Sequence, residues 1–122
     1  MKLRVRGNSI RLRLTRAEVA RIAGGESVEE VTVFSADARF GYRFECDATI
    51  ASAAARYTDG TMCIVWPAQD AVAWARSEQV GLAASCSIPD GMLQLVVEKD
   101  FACLAPREGG EDVDTFPHPR AS

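Results

Sequence analysis

The chain opens with two runs in which apolar and polar residues alternate, which is the pattern of a β-hairpin with one buried face. The runs cover 2–6 and 10–14, and Gly7-Asn8 between them tolerates the backbone angles of a tight turn. Thr15 and Glu18 then form a Thr-x-x-Glu capping box, which satisfies free backbone amides at a helix start. The sequence therefore predicts strand, turn, strand and helix, and a Gly-Gly pair ends that helix.

The middle of the chain predicts four further strands. Residues 28–34 are rich in β-branched side chains, and residues 40–47 alternate apolar with polar or small residues. Residues 49–57 are alanine-rich and could be helical by propensity alone. Because they lack a cap and a polar stripe, we assign them to a strand that turns at Thr58-Asp59-Gly60 into the apolar strand 62–66.

A second helix and a last hairpin complete the pattern. Residues 67–76 begin with a proline, which suits the first turn of a helix because its missing amide costs nothing there. Residues 80–87 and 92–98 form the hairpin around a Pro-Asp-Gly turn. We expect the last strand to continue, with a bulge, through Phe101 and Leu104.

Length and composition favour one domain followed by a tail. A chain of 122 residues can bury one core but is too short for two. We expect a single α+β domain over 1–105 and an acidic, proline-containing tail over 106–122, where the composition changes. The predicted fold has about eight mostly antiparallel strands in a partly open barrel or a two-layer sandwich, with two short helices closing its ends.

Two segments 52 residues apart, 10–32 and 62–84, share one plan of strand, helix and strand. Within this match Val28 corresponds to Val80. Identities are few, so both a true internal repeat and ordinary helix-start chemistry explain the match. By analogy, the strand order around Pro67 also fits a swapped-hairpin barrel like those of small bacterial transcription-regulator domains.

Cysteine usage and the lack of long apolar runs favour a cytoplasmic protein. The four cysteines, Cys46, Cys63, Cys86 and Cys103, show no zinc-site spacing. We expect buried, reduced thiols, while disulfides in any of three pairings are the alternative in an oxidising compartment. The chain has neither a signal-peptide pattern nor the roughly 20 apolar residues of a membrane span, so we expect no membrane association.

The distribution of charge is the one feature of the sequence that indicates a binding partner. Residues 1–21 carry a net charge of +6 and residues 22–122 carry −9, which together give the chain its −3. Strand alternation places five bases on one face of the first hairpin, opposite its apolar side chains. These bases are Lys2, Arg4, Arg6, Arg11 and Arg13. Because like charges repel across strands, we expect an acidic group against this face.

Three classes of acidic group could meet that need. The first is the protein itself, through acids of neighbouring strands or of the tail. These acids are Glu29, Glu30, Glu45, Asp47, Glu108, Glu111, Asp112 and Asp114. Glu98 and Asp100 would be the counter-ions instead if they faced Arg4 or Arg11 across the sheet. The second is the acidic surface of a partner protein or of a second copy of the chain. The third is a phosphate-bearing ligand or a nucleic acid, which a pI near 5.1 argues against.

Candidate catalytic residues are sparse. The single histidine, His118, lies in the tail, and the Glu98-Lys99-Asp100 triplet is typical of a solvated strand edge or a salt bridge. Trp66 and Trp74 could line a ligand pocket, although core packing is the commoner role of such residues. No phosphate loop, nucleophile elbow or metal-binding motif occurs in the sequence, so we assign no catalytic residue, no metal ligand and no cofactor.

Both ends of the chain resemble a family of small bacterial proteins of unknown function. The likeness rests on MKLRVRGNSIRLRLT at 1–15 with Glu18-Val19 after it, and on VEKDFACL at 97–104 with Phe116-Pro117. The resemblance implies a bacterial, cytoplasmic, single-domain protein and carries no activity with it.

The sequence thus leads to a non-enzymatic binding or protein-interaction module that uses Arg4, Arg6, Arg11 and Arg13. Its expected partner is an acidic protein surface or a second copy of the chain, and nucleic acid is disfavoured. The alternative is a small-molecule-binding protein or enzyme whose pocket the sequence does not reveal. Such a protein would hold a cavity of at least about 300 Å³ with convergent polar groups.

Overall fold

The computed structural model describes residues 1–101, which form eight strands and two helices. The elements are β1 (Lys2–Arg6), β2 (Ser9–Leu14), α1 (Arg16–Ala23), β3 (Val28–Ser35), β4 (Ala38–Asp47), β5 (Ala54–Thr58), β6 (Thr61–Pro67), α2 (Ala68–Arg76), β7 (Gly81–Ile88) and β8 (Gly91–Lys99). The predicted α+β class is confirmed. The predicted tail over 106–122 lies outside the described residues.

The strands form two four-stranded sheets that do not close into a barrel within residues 1–101. The first sheet has the order β1-β2-β8-β7, and the second has the order β3-β4-β6-β5. Each sheet joins two antiparallel pairs through one parallel pair, β2 with β8 and β4 with β6. The open sandwich is the form of the prediction that the structure supports.

Each sheet combines one hairpin from each half of the chain. Each strand of the first half has an equivalent four strands later, so that β1 corresponds to β5 and β4 to β8. Exchanging every strand with its equivalent turns the order β1-β2-β8-β7 into β5-β6-β4-β3, which is the second sheet read from its other edge. The two halves are therefore related by a pseudo-twofold axis. Each half alone leaves an apolar sheet face uncovered, and combining the halves buries both faces. The topology therefore favours the internal repeat over ordinary helix-start chemistry, the two explanations that the sequence left open.

The number of residues that separates equivalent positions of the two halves changes between the start of the helix and the following strand. Leu12 and Ile64 are equivalent residues 52 positions apart. Leu12 pairs with Val97, which pairs with Leu82 on the next strand. In the same way Ile64 pairs with Phe44, which pairs with Val28. Val28 is thus equivalent to Leu82 in the sheets and not to Val80, which the sequence match gave. The stretch from the start of the helix to this strand position is two residues longer in the second half, from Ala68 to Leu82, than in the first, from Arg16 to Val28. Short sequence matches do not register such an insertion.

The core lies between the inner faces of the sheets and beneath the helices. Phe44 and Trp74 are fully buried and meet edge to face, with ring centroids 6.4 Å apart. Trp66 is also buried, so both tryptophans have the core role that the sequence favoured. We expected the two helices to close the ends of the sandwich, but α1 and α2 pack against each other. Both helices contribute buried apolar residues to the core, Ile22 from α1 and Ala71 with Trp74 from α2.

Two predicted strands are longer in the sequence assignment than in the structure. Of the stretch 49–57, only the part from Ala54 onward is a strand. The preceding loop crosses the end of β6, because β4 and β5 lie on either side of that strand. At the start of this loop, Asp47 accepts hydrogen bonds from the backbone N–H and the hydroxyl of Thr49 at 2.8 and 2.6 Å. The last strand ends at Lys99, so its predicted continuation through Phe101 is wrong. Its further extension through Leu104 lies outside the described residues.

Candidate functional site

The register of the first hairpin brings the predicted basic residues together. In the β1–β2 ladder, Lys2 lies opposite Arg13, Arg4 lies opposite Arg11, and Arg6 lies opposite Ser9. The alternate residues of β2 are buried, so all five bases project from the outer face of the first sheet. We call this set the basic face; its members are Lys2, Arg4, Arg6, Arg11 and Arg13.

One part of the basic face, formed by Lys2, Arg11 and Arg13, is partly compensated by two carboxylates from the end of β8. Glu98 Oε1 lies 3.5 Å from Arg11 Nη1 and 3.2 Å from Arg13 Nη2, and Asp100 Oδ2 lies 3.4 Å from Lys2 Nζ. Parallel pairing of β2 with β8 sets Arg13 beside Glu98, which explains this placement. These two acids are therefore the nearby counter-ions that the sequence required.

The other part of the basic face has no such compensation. Arg4 and Arg6 are both exposed, and neither forms an ion pair with any carboxylate in residues 1–101. Arg4 also faces Arg11 directly across the ladder, where like charges destabilise the sheet. Among the described residues, a positive region without a counter-ion therefore remains toward the Gly7-Asn8 turn.

The other acids named from the sequence have different partners. Glu30 binds the Met1 amino group at 3.1 Å. Glu29 and Glu45 lie 3.6 and 2.9 Å from the Arg43 guanidinium on the second sheet. The four tail acids lie outside the described residues.

Two shallow depressions run along the basic face. The first, of about 180 Å³, is lined by Lys2, Leu3, Arg4, Arg11 and Arg13. The second, of about 150 Å³, is lined by Arg4, Arg6, Ser9 and Arg11. The pair Arg4 and Arg11 forms the wall that they share, and guanidinium groups in such positions can grip a carboxylate with two parallel hydrogen bonds.

A larger cavity lies beside the helices. It measures about 480 Å³ and is lined by Leu14, Arg16, Val19, Ala75, Lys99, Asp100 and Phe101. Its size exceeds the limit that we set for a small-molecule site. Two of its charged groups already have partners: Lys99 Nζ donates to the Ser77 carbonyl at 2.6 Å, and Asp100 pairs with Lys2. No local sequence pattern predicts this cavity, because its walls come from four separate elements.

An open cleft of about 570 Å³ lies at the hairpin tips of the second sheet. Its walls include Phe34 and Tyr57, which are 69% and 68% exposed, together with Asp37 and Arg39. The sheets are not closed at this end, so aromatic residues of the inner face reach solvent.

A thiol and a carboxylate meet on the outer face of the second sheet. Cys63 Sγ donates to Glu45 Oε1 at 3.0 Å, and burial together with this hydrogen bond raises the pKa of the Cys63 thiol to about 12. Arg43 Nε lies 2.9 Å from the same oxygen without the alignment of a hydrogen bond. The thiol is thus held protonated and is a poor nucleophile.

Three of the four cysteines lie within the described residues. Cys46, Cys63 and Cys86 are free and half-buried, so their predicted full burial is wrong. Cys103 and His118 lie outside the described residues. The same part of the chain holds no cluster of potential metal ligands, and neither of its helices is long and apolar enough to cross a membrane.

Comparison with known proteins identifies a family but no activity. A family model described as "Family of unknown function (DUF7009)" matches residues 1–120, so the chain belongs to that family. Neither a curated protein nor a solved structure matches the chain. Function must therefore be argued from the geometry of this molecule.

Proposed function

We propose that this family member is a non-enzymatic binding module that captures an acidic protein surface on its basic face. The observation that carries the proposal is Arg4, exposed and opposite Arg11, with no carboxylate partner in residues 1–101. A folded sheet has no structural reason to hold like charges in register, whereas an acidic partner converts this cost into binding energy. The supporting features are the two depressions, each walled by guanidinium groups.

An acidic protein is favoured over a nucleic acid by the charge of the whole molecule. The chain carries a net charge of −3, and residues 22–122 alone carry −9. A polyanion extending beyond the first hairpin would be repelled, because nucleic-acid binding requires many phosphate contacts along a continuous basic surface. A protein partner needs to present only a few carboxylates, and a second copy of this acidic chain belongs to the same class.

The proposal includes a bacterial cytoplasmic location. The free state of the three described cysteines supports this compartment, where thiols stay reduced. The bacterial origin rests on the likeness of the chain's two ends to the family.

The basic face is tested by two double variants that change net charge equally. Arg4→Ser with Arg6→Ser removes the uncompensated charges, while Arg39→Ser with Arg56→Ser removes two exposed arginines from the second sheet. The probe is a fluorescent poly-glutamate peptide, with the affinity measured by anisotropy. We expect the first double variant to bind at least about tenfold more weakly, or ~1.4 kcal/mol, and the second to bind like the native protein.

Two results would contradict the proposal. Equal losses in both double variants would show that only net charge matters. Full binding by the Arg4→Ser, Arg6→Ser protein would show that the basic face does not hold the peptide. Circular dichroism of each variant separates loss of binding from loss of fold.

A small-molecule-binding function is the second candidate, and the cavity of about 480 Å³ favours it. Its apolar walls and the adjacent Arg16 and Lys99 suit an amphipathic anion. We rank this function second because Lys99 and Asp100 already have partners within the protein, which leaves them less available to a ligand. Saturable binding of anilinonaphthalene sulfonate that is lost in Val19→Trp, which fills the cavity, but kept in Arg4→Ser would support this function. Undiminished dye binding in Val19→Trp would exclude this cavity.

A further inference from the structure

The two depressions on the basic face repeat at the spacing of a β-strand. One lies on the Lys2 side of the Arg4–Arg11 pair, and the other lies on the Arg6 side of the same pair. A step of two residues along a strand covers roughly 6.6 Å. An extended peptide places the side chains of residues i and i+2 on one face at the same interval, so its acidic groups could enter both depressions together.

The depressions adjoin a free sheet edge. Strand β1 is the first in its sheet and has β2 as its one neighbour among the described strands. Hydrogen-bonded pairs alternate along an antiparallel ladder, so every second residue of β1 directs its backbone N–H and C=O away from β2. Such an edge is a template for strand addition. Val5, on the opposite face from the arginines, is 60% exposed and offers an apolar contact to an added strand.

We infer that the partner binds as an extended segment that adds to the β1 edge, with acidic residues at positions i and i+2. This inference rests on the proposed function of the basic face and specifies the kind of acidic partner. The two acidic side chains enter the two depressions, while the residue between them lies on the other face beside Val5. The pattern recognised is acidic, apolar, acidic, which complements the basic, apolar, basic order of Arg4, Val5 and Arg6.

The occupant is assigned to another protein because the described strands of a second copy do not supply this pattern. Strands β5 and β7 are edges without acidic residues, and β3 carries Glu29 and Glu30 at adjacent positions, which point to opposite faces. Glu45 and Asp47 have the required spacing, but their strand β4 is already paired on both sides. The chain carries one further match, Asp112-Val113-Asp114, outside the described residues.

Two peptides of equal composition and charge test the spacing. Thr-Val-Asp-Val-Asp-Val-Thr has its acids two residues apart, and Thr-Val-Val-Asp-Asp-Val-Thr has them adjacent. We expect the spaced peptide to bind the full chain at least about tenfold more tightly, because adjacent acids cannot enter both depressions from one strand. The preference should be lost in the Arg4→Ser, Arg6→Ser protein.

Backbone methylation tests strand addition independently of charge. One version of the spaced peptide carries N-methyl groups on its two Asp residues, and another carries them on the flanking Val residues. Because only alternate amides face the sheet edge, one version should bind at least about tenfold more weakly while the other keeps its affinity. Equal affinity of both methylated versions would overturn strand addition.

The outcomes separate this inference from the proposed function. If both peptides bind equally and both lose affinity in the Arg4→Ser, Arg6→Ser protein, the basic face binds acids but the strand-addition geometry is wrong. If neither peptide depends on these arginines, the proposed function itself fails. If Asp112→Asn with Asp114→Asn in the full chain raises the affinity for the spaced peptide at least about tenfold, the chain's own segment occupies the edge and the assignment to a partner is overturned. Unchanged affinity supports a separate partner.

Discussion

Arg4 lies directly opposite Arg11 in the β1–β2 ladder, and only Arg11 has a carboxylate partner in residues 1–101. Side chains in such a pair have Cβ atoms about 5 Å apart, so two guanidinium groups there repel each other. Glu98 reduces the repulsion on one side and leaves Arg4 unmatched. Residues that lower the stability of the fold without a structural role are common at functional surfaces.

Removing Arg4 should not weaken the fold, whereas removing Glu98 should. Arg4→Ser relieves repulsion across the ladder, so we expect an unchanged or slightly higher free energy of unfolding. Glu98→Gln leaves Arg11 and Arg13 without their shared carboxylate, which should lower the free energy of unfolding by about 1 kcal/mol. Urea unfolding of the two variants checks this contrast. A larger loss for Arg4→Ser than for Glu98→Gln would show that Arg4 has a structural role.

The start of α1 should give stability an acid dependence. Glu18 accepts from the Thr15 backbone at 2.8 Å and from the Met1 amino group at 2.9 Å. Burial acts to raise the pKa of Glu18, but these hydrogen bonds outweigh it and hold the pKa below the usual 4.5. A lowered pKa in the folded state means that the stabilisation is complete above about pH 4.5 and is lost as the pH falls through the folded pKa.

Glu18→Gln is the matching variant. We expect it to lower the free energy of unfolding at neutral pH by about 1 kcal/mol, with the difference from the native protein shrinking below about pH 4. Asp70→Asn is the control, because Asp70 has the same place in the first turn of α2, where no side-chain cap bond forms. Denaturant melts at several pH values measure both. A pH-independent difference for Glu18→Gln would contradict the assignment.

Cys63 should react slowly with thiol reagents. Burial and the hydrogen bond to Glu45 raise its pKa to about 12, so the thiolate is scarce at pH 8. Relative to an ordinary cysteine, alkylation by iodoacetamide should be about a thousandfold slower. Glu45→Gln should accelerate it, while Glu29→Gln, which removes a carboxylate next to Arg43 but not next to the thiol, should not. Peptide mass spectrometry resolves the rate at each cysteine, and rapid labelling of Cys63 in the native protein would refute the prediction.

Two glycines with positive φ should differ in their tolerance of alanine. Gly25 has φ +82° with open space around an added Cβ, while Gly60 has φ +76° and an added Cβ would lie 3.1 Å from the Arg39 carbonyl oxygen. Gly25→Ala should cost about 1 kcal/mol from backbone strain alone. Gly60→Ala should cost more, because the crowded atom is backbone and cannot swing away. Thermal unfolding compares the two, and equal costs would show that the β5–β6 turn relaxes.

Structural features that depend on only a few neighbouring residues were predictable from the sequence. The Thr15–Glu18 capping box, the hairpin at Gly7-Asn8 and the common face of the five bases all follow from short-range periodicity and turn geometry. Alternation fixes the face of each side chain as soon as the strand exists. The prediction of a strand over the alanine-rich stretch 49–57 was wrong in its first half, because the loop there is set by a strand crossing that no local sequence pattern records.

Long-range pairing was decided by the tertiary structure alone. Nothing near Arg11 in the sequence shows that Glu98 will lie beside it, since the two are brought together by the parallel pairing of β2 with β8. The cavity beside the helices and the contact between Cys63 and Glu45 arise in the same way. By itself the sequence determined which bases share a face, because that depends on a two-residue period. Which of them remain uncompensated depended on the sheet order, which is fixed by burying two apolar faces from distant halves of the chain.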